Sequence, residues 1–109
     1  KTMILIRIKR KGGQITAVTV SGHAGMAPKG EAIVCAAVSA LVQTFYFSLQ
    51  RLLHLHVTPD IRDGYFFLSL PTDLPAEIAA KITLLAENML IGLDEINKSY
   101  PGFLQVSEE

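Results

Sequence analysis

The sequence predicts a small α+β domain in which an antiparallel or mixed sheet packs on two helices. Two patterns carry this expectation. Short apolar segments with partial alternation flank Lys11-Gly12-Gly13-Gln14 and Asp63-Gly64, the signature of β-hairpins. Two longer segments bring apolar residues back every three or four positions, the period of an amphipathic helix.

Met3 to Arg10 and Ile15 to Val20 form the first hairpin, with glycines supplying the turn. Ser21-Gly22 ends the second strand, and the stretch from His23 to Gly30 has glycine, proline and no period, so it reads as a loop. From Glu31 to about Leu55 the pattern is helical. Ile33, Val34, Ala37, Val38, Leu41, Val42, Phe45, Leu49, Leu52 and Leu53 return to one broad face, and Ala36, Ala40, Tyr46 and Phe47 extend apolarity around the rest. Such a helix is expected to be buried on most sides, by a sheet on one and by a second helix or a second subunit on another. Val57 to Arg62 and Tyr65 to Leu70 make the second hairpin. Pro71 to Pro75 turns the chain into a second helix, carried by Ile78, Ile82, Leu85, Met89 and Ile96 as far as about Ser99, and Pro101-Gly102 stops it. Phe103 to Val106 is expected to add a last strand, and Ser107-Glu108-Glu109 to fray.

At 109 residues, half of them hydrophobic, the chain is expected to form one domain over residues 1–109 with a core that needs no metal or disulfide. Ten basic and ten acidic residues cancel. Strong binding to a phosphate backbone is therefore not expected, and contact with a nucleoprotein would go through protein. The single cysteine excludes an internal disulfide, and no basic-then-apolar leader opens the chain, so the cytoplasm is the expected compartment. The longest apolar run, Ala32 to Val42 with Ser39 inside it, is about half a bilayer span, and no membrane segment is expected.

Chemistry concentrates where the glycine-punctuated loop meets the first helix. Cys35 lies twelve residues after His23. Cysteine-dependent acyl transfer needs a thiolate, a histidine to accept and return a proton, and N–H donors for the oxyanion. Cys35 near a helix start, His23 on the preceding loop and the backbone after Gly30 offer these parts. Gly22 and Gly25, on either side of His23-Ala24, would let a substrate backbone approach. The competing reading is a small core hydrophobe, given Ile33, Val34, Ala36, Ala37 and Val38 around the cysteine. Ser39, one helical turn on, either hydrogen-bonds the sulfur or a substrate carbonyl, or bonds back to its own helix. His54 and His56 lack further ligands in zinc spacing, so no metal is expected.

Gly22-His23-Ala24, then Gly30, then Ile33-Val34-Cys35-Ala36-Ala37-Val38-Ser39 resembles the motif of the ribosomal-processing cysteine protease family Prp, also called YsxB-like. The resemblance extends over essentially the whole chain, with its specific part between Gly22 and Ser39. It implies His23 and Cys35 as the catalytic pair, a homodimer, no cofactor, and a ribosomal partner. That partner is the precursor of the large-subunit ribosomal protein numbered twenty-seven, whose N-terminal extension is removed. Substrate side chains near the cut are implied to be aromatic or apolar. One departure stands out: members of the family usually carry aspartate three positions before the cysteine, where this chain has Ala32, preceded by Glu31. A non-catalytic dimeric peptide-binding module of ribosome assembly is the alternative that this departure raises.

Overall fold

The structure, a computed structural model, describes residues 3–22 and 29–109. Strands β1 (Ile4–Lys11) and β2 (Gln14–Ser21) form the first hairpin. Its turn residues Gly12 and Gly13 both have positive φ, 61° and 82°, as a tight two-residue turn that matches the twist of the strands requires. A bulge between Lys9 and Arg10 shifts the phase of β2, so that Ile15 on one side of it and Val18 and Val20 on the other all face the core. That is why the alternation in Ile15 to Val20 is imperfect in the sequence. The bulge is used: Thr16 inside it offers its carbonyl to the Leu70 N–H at 2.8 Å.

Helix α1 (Lys29–Arg51) follows, then strands β3 (Asp60–Arg62) and β4 (Tyr65–Ser69), helix α2 (Ala76–Ser99) and strand β5 (Leu104–Glu108). The sheet runs β3-β4-β2-β1-β5. Every neighbouring pair is antiparallel except β1 with β5, so the mixed sheet is the form realised. One face carries Ile4, Ile6, Ile8, Val18, Val20, Phe66 and Leu68 into a core completed by Val34, Val38, Val42, Phe45 and Leu49 of α1 and by Ile82, Ala86, Met89 and Leu93 of α2. The two helices approach closely at Gly92, where an added Cβ would lie 2.8 Å from Leu41 Cδ1.

Four expectations are corrected. Helix α1 ends at Arg51 rather than about Leu55. Leu55 N–H bonds back to the Leu49 carbonyl at 3.0 Å with His54 at φ 56°, a left-handed helix stop, while the apolar period runs on through Leu52, Leu53 and Leu55 without being helical. The strand begins at Asp60, not Val57, because residues 54–59 are held as irregular chain; Gln50 Nε2 donates to the Val57 carbonyl at 3.2 Å. The C-terminus is paired, not frayed: β5 reaches Glu108, and Glu109 N–H bonds the Ile8 carbonyl at 2.8 Å. Finally, α1 is not covered on most sides. One sheet and one neighbouring helix reach only its inner half, and Ile33, Ala36, Ala40 and Phe47 stay exposed on the outer one.

Candidate active site

Helix α1 sets the position of Cys35. The residue lies on its inner face beside Val34 and Val38 and is 7% exposed. Because α1 begins at Lys29, two residues before the expected Glu31, Cys35 falls in the second turn. A helix leaves only its first four N–H groups without an internal partner, and its field fades within the first turn. Gly30 belongs to that first turn and Cys35 does not, so the helix terminus acts on the thiol more weakly than the sequence spacing implied.

Gly22 is where β2 leaves the sheet. Its φ is 85°, and the space on its Cβ side is occupied by the carbonyl oxygen of Met3. The glycine is therefore demanded by the neighbouring strand, a structural reason that differs from access for a substrate. His23 and Gly25 lie outside the described residues. The other predicted supporting residue, Ser39, is one turn beyond Cys35 on the same side of α1, half-buried.

Ser39 opens onto a cavity of about 240 Å³ between α1 and the β3–β4 hairpin, walled by Val20, Val38, Val42, Ile61 and Phe66. The hairpin was legible from Asp63-Gly64, but its neighbourhood was not. The pairing of Ser21 with both Leu5 and Tyr65 puts the Asp63–Gly64 turn at the end of the sheet where Gly22 leaves it. Only the sheet order, which skips from β2 to β4, brings that turn beside the helix of Cys35. The ring of Phe66, which lines the cavity, meets that of Tyr46 edge-on at 6.4 Å. The buried thiol of Cys35 lies one helical turn before Val38 and Ser39, which line this hollow together with apolar residues and the polar Gln43, Arg62 and Asp63.

Among the described residues no group of three or more histidine, cysteine or acidic side chains is placed to hold a metal. His54 serves as the left-handed residue that closes α1. The span Ala32–Arg51 is long and apolar enough to cross a bilayer by length and composition alone. In this fold its inner half forms the core against the sheet.

Comparison with known proteins points one way. The family model described as Cysteine protease Prp matches residues 3–105. The ribosomal processing cysteine protease Prp of Bacillus subtilis is 32% identical over 108 residues, covering 96% of each chain. A crystal structure of a Streptococcus mutans protein superposes with a TM-score of 0.81 at 30% identity, over 98% of this chain and 94% of that one. The Staphylococcus aureus protease Prp, crystallised with a substrate peptide, has the same fold at a TM-score of 0.76 and 22% identity, over 98% of this chain and all of that one. With its sequence matched almost end to end and its mixed sheet and two helices shared, the chain belongs to the Prp family of ribosomal-processing cysteine proteases.

Proposed function

We propose that this protein is a cytoplasmic cysteine endopeptidase that removes the N-terminal extension from the large-subunit ribosomal protein numbered twenty-seven, with Cys35 as nucleophile and His23 as general base and acid. Membership in the Prp family carries the reading, and the position of Cys35 on the inner face of α1, one turn before the Val38 and Ser39 that line a cavity, supports it. His23 takes the thiol proton, and the sulfur attacks the scissile carbonyl carbon. Backbone N–H groups receive the oxyanion. As the C–N bond breaks, the imidazolium returns the proton to the leaving amine, which is the new N-terminus of the ribosomal protein. The thioester that remains is hydrolysed by a water that His23 deprotonates, freeing the extension peptide and the thiol. Gly22, Gly25, Gly30 and Ser39 support this site, and no cofactor takes part.

The active form is a homodimer. The exposed apolar residues on the outer side of α1, Ile33 at 44% and Phe47 at 45%, together with Leu84 and Ile91 on α2, support a second copy as the missing cover, since a soluble surface rarely leaves such a patch open.

Two observations favour the second reading, a non-catalytic peptide-binding module. Ala32 stands where a carboxylate is usual, and the thiol is buried. Incubating the protein and its Cys35→Ala variant with a peptide spanning the extension, followed by mass spectrometry, decides between them. A single cut by the parent alone is expected. Binding by both with cutting by neither would establish the module.

A further inference from the structure

Both helices pack on one face of the sheet, and among the described residues nothing lies over the other. The strand register decides what that open face carries. Phe67 is paired with Thr19 and Thr19 with Arg7, while Tyr65 is paired with Ser21 and Ser21 with Leu5. Directly opposed residues project to the same side, and the alternating Phe66, Val20 and Ile6 belong to the core. Two adjacent rows across β4, β2 and β1 therefore face away from the helices. Lys9 and Lys11 continue this side of β1, because Arg10 between them reaches Glu87 on α2.

The face has two kinds of surface. On β4 the rings of Tyr65 and Phe67 are half-buried with no element above them, and the Arg62 guanidinium lies 4.6 Å from the centre of the Tyr65 ring. Two strands away, about 10 Å across the sheet, stand Arg7, Lys9 and Lys11. Among the described residues these three pair with no carboxylate. The carboxylates that alternation turns this way are Asp60, held by Arg62 at 3.0 Å, and Glu109. The acidic excess lies behind the sheet: α2 has Glu77, Glu87, Asp94 and Glu95 against Lys81 and Lys98. Charges that cancel over the chain are thus segregated by the fold.

We propose that the open face of the sheet binds single-stranded RNA, with bases stacked on Phe67 and Tyr65 and the sugar–phosphate backbone laid along Arg7, Lys9 and Lys11. Aromatic rings on a sheet offer stacking planes to unpaired bases, and flanking cations neutralise phosphates. Thr19 and Ser21, between the rings and the cations, supply hydroxyls for the ribose. A protein surface packed here would have to bury unpaired cations at a cost, whereas a polyanion neutralises them. This goes beyond the protease reading and does not depend on cleavage. It leaves the Cys35 side of the sheet open to a peptide.

The test is fluorescence anisotropy of a dye-labelled single-stranded RNA of about ten nucleotides with the parent protein at low salt. Saturable binding is expected, weakening with salt at a slope of about −2 in log K against log salt if Arg7, Lys9 and Lys11 each meet a phosphate. Phe67→Thr, which keeps a strand-forming residue, should weaken binding about tenfold. Arg7→Gln combined with Lys9→Gln should weaken it and flatten the slope. Lys81→Gln combined with Lys98→Gln removes the same charge from α2 and should leave binding unchanged. Circular dichroism through thermal unfolding checks that each variant keeps the fold. DNA of the same sequence lacks the 2′-hydroxyls and duplex RNA hides its bases, so both are expected to bind more weakly. No saturable binding by the parent, unchanged binding in Phe67→Thr, an equal loss in the α2 control, or equal binding of DNA or duplex would each overturn the proposal. If RNA fails to bind while Phe67→Thr slows cleavage of the whole ribosomal precursor but not of a short peptide, the face belongs to a protein partner and the RNA assignment is wrong. Cys35→Ala should bind RNA as the parent does, so failure of the protease reading and failure of this one are read separately.

Discussion

Arg10 Nε, on β1, donates to Glu108 Oε1 on β5 at 2.7 Å, and Nη2 of the same guanidinium meets Glu87 on α2. One side chain thus ties the edge strand β5 and the second helix to the interior strand β1. The arginine is 26% exposed and its partners about half. After solvent screening the two pairs are together worth about 1 kcal/mol.

Arg10→Gln is accordingly expected to lower unfolding free energy by about 1 kcal/mol and to increase hydrogen exchange at Glu109, whose N–H bonds Ile8. The hydrogen bonds that Arg10 donates to Glu87, and then to Glu108, raise the guanidinium above its ordinary value. A raised basic group stabilises the fold below its unfolded pKa and loses that contribution only as pH climbs through the folded value. Here both lie beyond any working pH, so no alkaline transition from this group should appear. Salt is the better probe: the difference between parent and variant should narrow between low and 1 M salt.

Gly22→Ala carries a larger expected cost. A Cβ at φ 85° is strained by itself, and here it would also meet the Met3 carbonyl oxygen, which belongs to backbone and cannot turn aside. A loss of about 2 kcal/mol is expected in urea denaturation, with reduced cleavage because His23 is the next residue. Gly12→Ala, with a similar φ but open space around it, should cost less and leave cleavage unchanged.

These glycines also mark what the sequence disclosed and what it withheld. Glycine pairs and a helical period are local signals, so both hairpins and both helices were readable, as was the unusual stretch from Gly22 to Ser39. The end of α1 was not. Leu52, Leu53 and Leu55 keep the helical period while His54 takes a conformation that ordinarily needs glycine or asparagine. Pairing of β5 was hidden for another reason. Ser107 and Glu108 look polar and terminal, and only their parallel register with Arg7 and Ile8 orders them. Cys35 and Ser39 share a helix and were legible together, whereas Ile61 comes to line a cavity with Ser39 only through the pairing of β2 with β4, which no local pattern announces.

Restoring the carboxylate three positions before the cysteine tests its departure here. Ala32 is exposed in the first turn of α1, so Ala32→Asp adds a charge favourable to the helix end, worth about 0.5 kcal/mol. If the carboxylate orients His23, kcat/KM should rise several-fold with little change in stability. An unchanged rate with the small stability gain would limit its role to the helix.

The outer side of α1 offers a direct test of association. Phe47→Asp places a charge at the C-terminal end of the exposed apolar stripe on α1. In a monomer this surface change should alter stability by less than about 0.5 kcal/mol. In a homodimer it buries an unpaired charge. Sedimentation velocity is expected to show a dimer for the parent and a monomer for the variant. A parent that sediments as a monomer at micromolar concentration would overturn the assignment of this face to a second copy.

The burial of Cys35 makes reagent size informative. At 7% exposure the thiol should admit a small alkylating agent far faster than a bulky maleimide, if the neighbouring hollow is its route of access. Iodoacetamide is expected to modify Cys35 in the folded protein at neutral pH, since catalysis needs a thiolate. Gln43→Trp should slow the maleimide more than iodoacetamide, because it narrows the hollow one to two turns away without touching the sulfur. A cysteine that serves only as a core hydrophobe behaves differently. It reacts with neither reagent until the protein unfolds, and its rate then follows the urea concentration. Mass spectrometry of timed samples across a urea series separates the two cases, and protection that tracks global unfolding would remove Cys35 from the chemistry.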